Sequence, residues 1–459
     1  MKSMQRNLAT MALLYLSLVL AACGGGGGPA AAPPSNLDTS FGNGGKVVTE
    51  FTGLRSEVHA VAIQPSDGKI VVAGYAGSTT DIDFALARYN TDGSLDTGFG
   101  SSGVTTTPFF SGMYDGISSI AIQNDGRIIA AGYAQNGTQS DFALARYNVD
   151  GSLDTSFNNT PSLCAANLPC QGKWVSLRAG DDSAAAVAVQ SDGKILAAGG
   201  AQNGTQSDFA LLRLNQNGTL DTGFGSAGMA FTDIFIGGTD YARAIAIQTD
   251  GKILVAGYTH DGTHSYVGLA RYNTNGTLDT SFNPRFTCSF DLPDCGTLAT
   301  DFGTGADVQY ATVVVQADGK ILVGGSAGTR IALERYNTNG TLDTTFGPAD
   351  TGRVTTTVPG LWGLANIVLQ ADGKIVAAGT VNNSANYEDF FVARYTVDGA
   401  LDVSFGNGGT GMVQTDFLND EDFSYALAVQ PLDGKIVAAG SAYNNDNGAF
   451  HFAIARYLP

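Results

Sequence analysis

The tetrapeptide Asp-Gly-Lys/Arg-Ile occurs seven times in this 459-residue chain, starting at Asp67, Asp125, Asp192, Asp250, Asp318, Asp372 and Asp433. The spacings are 58, 67, 58, 68, 54 and 61 residues, and each of the two long ones holds a cysteine-bearing insert. A second signature closes on Arg88-Tyr89, Arg146-Tyr147, Arg213-Leu214, Arg271-Tyr272, Arg335-Tyr336, Arg394-Tyr395 and Arg456-Tyr457. A third, Leu-Asp-x-x-Phe, starts at Leu37, Leu95, Leu153, Leu220, Leu278, Leu342 and Leu401. Three signatures with the same count describe one supersecondary unit used seven times.

Within one unit the elements are readable. Val58 to Gln64 is apolar on both faces, with Val61 and Ile63 on one side and the small Ala60 and Ala62 on the other. That pattern belongs to a strand buried between two layers. Pro65-Ser66-Asp67-Gly68 turns the chain, because glycine takes positive φ without a Cβ clash. Lys69 to Tyr75 and Phe84 to Tyr89 are the second and third strands, and Asn90-Thr91-Asp92-Gly93 is another turn. Thr-rich Val104 to Thr107 is the fourth strand. Four antiparallel strands repeated seven times predict an all-β chain, a single seven-bladed β-propeller. The last unit stops at Arg456-Tyr457, after its third strand, while Lys46 to Phe51 is a spare strand of the fourth type. Pairing the two completes the last blade and removes two raw sheet edges.

These motifs resemble the delta-60 repeat family of predicted propellers on all seven units from Leu37 to Tyr457. The likeness rests on Leu37-Asp38-Thr39-Ser40-Phe41-Gly42, on Asp67-Gly68-Lys69-Ile70-Val71-Val72-Ala73-Gly74 and on Phe84-Ala85-Leu86-Ala87-Arg88-Tyr89-Asn90. It implies the fold and frequent export, and it carries no catalytic residues. Leu214 departs from the pattern by replacing Tyr, and Asn158 and Asn283 replace the Gly after Phe. Asn tolerates positive φ, so those turns are expected to survive.

The amino terminus carries Lys2 and Arg6, an apolar run from Met11 to Leu20, and then Ala21-Ala22-Cys23. This is the plan of a secretory signal, with an apolar run shorter than the about 20 residues a membrane span needs. Leu20-Ala21-Ala22-Cys23 resembles a bacterial lipobox, which implies lipidation of Cys23. Gly24 to Gly28 and the Ala/Pro stretch to Pro34 read as a flexible tether. The expected organisation is a signal peptide at 1–22, a tether at 23–36 and the propeller at 37–459. The expected location is the outer membrane or cell surface, with the lipid as the only membrane contact. Cys164 with Cys170, and Cys288 with Cys295, are expected to form disulfides, since each pair closes a short loop in an exported chain. A net charge of −18, or −20 without Lys2 and Arg6, argues against nucleic acid as a partner.

Repeated Arg and Asp residues read as scaffold, so function is sought where the units differ. The loops after the second and fourth strands vary and share one face, which predicts binding there. Eight residues before Gln123, Gln190, Gln248 and Gln430 stand Asp115, Asp182, Asp240 and Asp422. The same offset gives Ser56, Val308 and Trp362 in the other blades. The four aspartates are expected to form an acidic rim at the mouth of the central channel, with Tyr114, Tyr241 and Trp362 adding aromatic faces and Asp416, Asp420 and Glu421 adding charge. Such a rim would take calcium or another divalent cation, a sugar-like ligand or a basic one. The opposing reading is that each Asp caps its own strand. His260-Asp261-Gly262-Thr263-His264 lacks the fixed geometry of a metal pair, and no Ser lies in a nucleophile-elbow pattern. The reading is a monomeric binding module for a protein or glycan, with a metal-dependent hydrolase or lyase at the rim as the alternative.

Overall fold

The computed structural model describes residues 36–459 apart from 52–54, 161–168, 177, 205, 284–295 and 384–386. Among the described residues there are seven four-stranded antiparallel sheets, six in simple sequential order and one in which the first strand of the chain joins the last three. Blade 1 is Arg55–Ile63, Ile70–Gly77, Ile82–Tyr89 and Val104–Thr107. The inner strands of blades 2 to 7 are Asp115–Ile122, Asp182–Val189, Thr239–Ile247, Val308–Val315, Leu361–Leu369 and Asp422–Val429. Each inner strand packs against the inner strands of its two neighbours, and that of blade 7 meets that of blade 1, so the ring is closed.

The closing strand is the one expected. Lys46–Thr49 pairs antiparallel with Ala449–Tyr457, Lys46 opposite Ala455 and Thr49 opposite Phe452, and completes blade 7. The core lies between blades rather than within one. Val71, Ala73, Phe84 and Leu86 of blade 1, for example, pack on Ile117, Ile120, Ile128 and Ala130 of blade 2. Asn158 and Asn283 stand at φ 47° and 51°, where the equivalent Gly42 and Gly100 have 53°, so the amide residue keeps the turn.

The three sequence signatures meet at one corner of each blade. In blade 1, Arg88 Nε donates to Asp96 Oδ2 at 2.8 Å and Lys69 Nζ reaches the same oxygen at 2.8 Å. The Arg88 guanidinium lies 4.6 Å from the centre of the Phe99 ring. Its Nη1 donates to the Val149 carbonyl in the turn of blade 2. The corner recurs in every blade: Arg146–Asp154, Arg213–Asp221, Arg271–Asp279, Arg335–Asp343, Arg394–Asp402 and Arg456–Asp38. Arg456 spans the closure, since its Nη1 donates to the Thr91 carbonyl of blade 1. Burial disfavours the Asp38 carboxylate, but Ser40, Lys435 and Arg456 outweigh it and hold the group well below the usual carboxylate range.

Removing one member of such a buried pair strands the other charge. Asp38→Ala is therefore expected to cost on the order of 3 kcal/mol in urea unfolding, whereas truncation of the half-exposed Asp67 should cost less than about 0.5 kcal/mol. Equal, small effects in both variants would contradict the clamp.

Candidate functional site

Side chains of a strand stand perpendicular to its sheet, so those of an inner strand point at the flanking blades and not at the axis. One local feature overrides this rule. Every inner strand carries a β-bulge, falling between Val58 and Ala60 in blade 1, and likewise in the others. A bulge inserts an unpaired residue and re-aims its side chain. The bulged residues are His59, Ser118, Ala185, Arg243, Tyr310, Ala365 and Tyr425, with Trp362 at a second bulge in blade 6, and all eight line the central channel. Glycine in the second strand makes room for this: a Cβ on Gly74 would stand 1.9 Å from the Glu57 carbonyl oxygen. Gly132, Gly199, Gly257, Gly325, Gly379 and Gly440 face the same obstacle in their blades.

The channel has a volume of about 740 Å³. Four rings line one wall from blade 6 through blade 7 to blade 1, and a fifth, Tyr75, stacks behind the last of them. Trp362 meets Phe423 edge-on at 6.5 Å, Phe423 stacks with Tyr425 at 6.1 Å, Tyr425 with His59 at 4.9 Å, and His59 with Tyr75 at 5.6 Å. Trp362 is 56 % exposed. Blade 4 lies across the ring and supplies Arg243, whose guanidinium is 5.0 Å from the Tyr241 ring centre and 5.8 Å from that of Tyr258. Burial, together with the Arg243 charge, holds His59 below its usual imidazole range against the pull of Glu57. Glu57 itself is held by Arg55 Nε at 3.0 Å.

The four aspartates read from the sequence as a channel rim do not line the channel, which is a correction to that expectation. They are buried between blades, because they precede the bulge on a regular stretch of strand. Asp115 accepts from the Phe109 N–H at 2.7 Å, Asp182 from Phe142 N–H at 2.8 Å, Asp240 from Ile234 N–H at 2.5 Å, and Asp422 from Phe417 N–H at 2.7 Å. Each thus ties its strand to the preceding blade or to the loop that follows it, which is the capping reading. Burial pushes Asp115, Asp182 and Asp240 up to about 6 and Asp422 up to about 8.

Each also faces a third-strand aspartate of the preceding blade: Asp83, Asp141, Asp208 and Asp389. Where the inner strand has Ser56, Val308 or Leu361 at this register, the equivalent third-strand position of the preceding blade is His451, Tyr266 or Arg330. Two junctions gather a third carboxylate, Asp233 with Asp208 and Asp240, and Asp416 with Asp389 and Asp422. In each the oxygens lie within 4.8 Å of one another, which makes these the groups among the described residues that could hold a metal.

The remaining expected site residues divide. Trp362 lines the channel, Tyr241 stacks on Tyr258 beside it, and Tyr114 is exposed with its hydroxyl on the Thr79 carbonyl. Asp420 is buried, with Asn445 donating to it, and Glu421 Nα donates to Asp420 Oδ1. His260 Nδ1 accepts from Gly262 N–H at 2.9 Å in a hairpin turn, far from a ligand cage. Cys170 is not a free thiol. Cys23, Cys164, Cys288 and Cys295 lie outside the described residues. Sequence reasoning missed His59, Tyr75, Arg243, Tyr310 and Tyr425. The signal was the glycine that recurs inside every second strand, a mark of a bulge on the partner.

The sequence matches the family described as "Domain of unknown function (DUF5122) beta-propeller" over residues 66–99, 123–157, 190–224, 248–282, 316–346, 370–405 and 432–459. No curated protein matches it. Among solved structures, a Dyadobacter fermentans protein of unknown function shares 10 % identity at a TM-score of 0.43, covering 90 % of this chain and 98 % of that one. Sqt1 from Chaetomium thermophilum shares 13 % identity at 0.46, covering 88 % and 97 %. The polysaccharide lyase Uly1 shares 11 % at 0.49, covering 87 % and 89 %. At this level of likeness none of their activities passes to this chain.

Because the folded state raises the Asp115 carboxyl, it binds that proton more tightly than the unfolded chain does. Its stabilising contribution is complete below the ordinary value of 3.8 and is lost as pH rises through about 6. Asp115→Asn keeps an acceptor for Phe109 N–H and has no proton to lose. Between pH 4 and 7 the melting temperature of the variant is expected to fall less than that of the parent. Parallel pH profiles would show that the carboxyl is not buried as described.

Proposed function

The chain belongs to the DUF5122 β-propeller family, a membership that names no activity, and we propose that it is an exported, lipid-anchored binding module whose ligand seats in the mouth of its central channel. The observation that carries this reading is Trp362, a large aromatic left 56 % exposed at the end of a continuous wall of rings. A cavity of a few hundred Å³ lined by aromatic and small side chains, with a few placed polar groups, is the usual form of a ligand site. Here the polar groups are Ser118, Ser119, Thr312 and Asn366. The mouth opens among the loops after the second and fourth strands, the ones that differ between blades.

The geometry does not favour a metal-dependent hydrolase or lyase at the rim, since the aspartates that would serve it are turned between blades. A protein or glycan partner remains the class of ligand, and calcium or another divalent cation has the two aspartate triads rather than the rim as its candidate position. The lipid anchor rests on Cys23, and the two disulfides rest on pairing Cys164 with Cys170 and Cys288 with Cys295.

The chain has two tryptophans, and Trp174 is buried, so a change in tryptophan emission on adding a soluble polysaccharide reports on Trp362. Trp362→Ala is expected to weaken that binding about 10- to 100-fold, the effect of losing an aromatic anchor. Leu432→Ala, on the exposed turn of the opposite face, should leave it unchanged. Loss of binding in the Leu432 variant alone would place the ligand on the wrong face. Cys23→Ala is expected to move the exported protein from the membrane fraction to the soluble one, and continued membrane association would contradict the anchor.

A further inference from the structure

Arg243 is the only side chain of the channel lining, among the described residues, that carries a fixed charge. Among the described residues no carboxylate lines the channel, in a chain whose net charge is −18, and Glu57, behind the His59 ring, is paired with Arg55. Chance placement on so acidic a protein would put negative charge there instead. The guanidinium makes no ion pair among the described residues and stays exposed, positioned by its contacts with the Tyr241 and Tyr258 rings. Its five N–H donors are thus available in a planar fork that matches a carboxylate or sulfate. Every repeated arginine of the corners, by contrast, is spent on an aspartate.

Opposite this charge stands the wall of Trp362, Phe423, Tyr425 and His59, on which flat, weakly polar ring faces can stack. The arrangement asks for a ligand with an anionic group at one side and a broad CH face at the other. The bulge that aims Arg243 is paid for in every blade, yet only blade 4 uses it to present a cation.

From this juxtaposition we infer that the channel is built for an acidic saccharide chain, with Arg243 taking the carboxylate and the aromatic wall taking the sugar rings. The inference rests on the binding-module reading and narrows it to one ligand class. Negative charge on the outer surface opposes such a ligand only weakly, because screening at physiological salt acts within about 8 Å. Inside the walled channel the Arg243 charge is screened less.

The test is calorimetry on the full-length protein with an oligogalacturonate, its fully methyl-esterified neutral form, and a glutamate-rich peptide. The acid is expected to bind at least tenfold more tightly than the ester. Arg243→Gln should erase that ratio by weakening the acid far more than the ester, Arg243→Lys should restore part of it, and Trp362→Ala should weaken both saccharides. Equal binding of acid and ester, or a ratio untouched in Arg243→Gln, would overturn the inference while leaving the binding module intact. A peptide bound as tightly as the oligogalacturonate would move the ligand to acidic protein segments and overturn it as well. Failure of all three probes to bind would remove the binding reading together with the inference.

Discussion

Seven buried guanidinium groups hold this ring together, one at the corner of each blade. Each arginine closes the Asp-Gly-Lys turn and the Leu-Asp-x-x-Phe turn of its own blade around one carboxylate and lies against the Phe ring. Six of them also reach a carbonyl of the next blade: Val149, Gln216, Thr274, Thr338, Val397 and Thr91. A buried charge is tolerable only when its partners are in place. The corner therefore forms as a unit, and it requires the next blade to be docked before the last donor is satisfied. In blade 7 the carboxylate, Asp38, comes from the other end of the chain. Ring closure and corner chemistry are there the same event.

That constraint leaves little freedom in the strands. Their side chains are committed to the flanking blades, where Val, Ile, Ala and Phe fill the space between sheets. Variation survives at the loops of one face and at the bulge. Because a bulge turns a side chain toward the axis in every blade, repeats of one backbone device can present His59, Ser118, Ala185, Arg243, Tyr310, Ala365 and Tyr425, and a second bulge in blade 6 adds Trp362. The scaffold is symmetric and its channel is not: rings line one side, a cation the other. The paired aspartates add a second layer, since each binds its inner strand to the preceding blade with a carboxyl that burial drives toward its neutral form.

Much of the architecture was legible because it is periodic. Seven Asp-Gly turns, alternation in Val58 to Gln64, and the unpaired Lys46 to Phe51 together required seven blades and their closure. Asn158 and Asn283 were legible too, since only a residue tolerant of positive φ fits after Phe. The site was less so. Counting eight residues back from each Gln found four equivalent aspartates, but assumed that the end of an inner strand faces the axis. A strand's regular side chains face its neighbours, and Asp115 and Asp422 obey that rule. What faces the axis is the bulged residue, and alternation alone cannot reveal it. Gly74 and its equivalents held the information, as glycines inside otherwise β-branched strands. Trp362 was found for a partly wrong reason: it shares the offset of the aspartates, yet its blade has a second irregularity, between Leu361 and Gly363.

The central claim is that this propeller works through the asymmetric channel that its bulges create. A crystal structure of the protein soaked with an oligogalacturonate tests it most directly. The account predicts density in the channel, with a carboxylate on Arg243 and a sugar ring against Trp362 or Tyr425. Density on the turns of the opposite face, or on the outer edges of the blades with the channel holding only water, would contradict it.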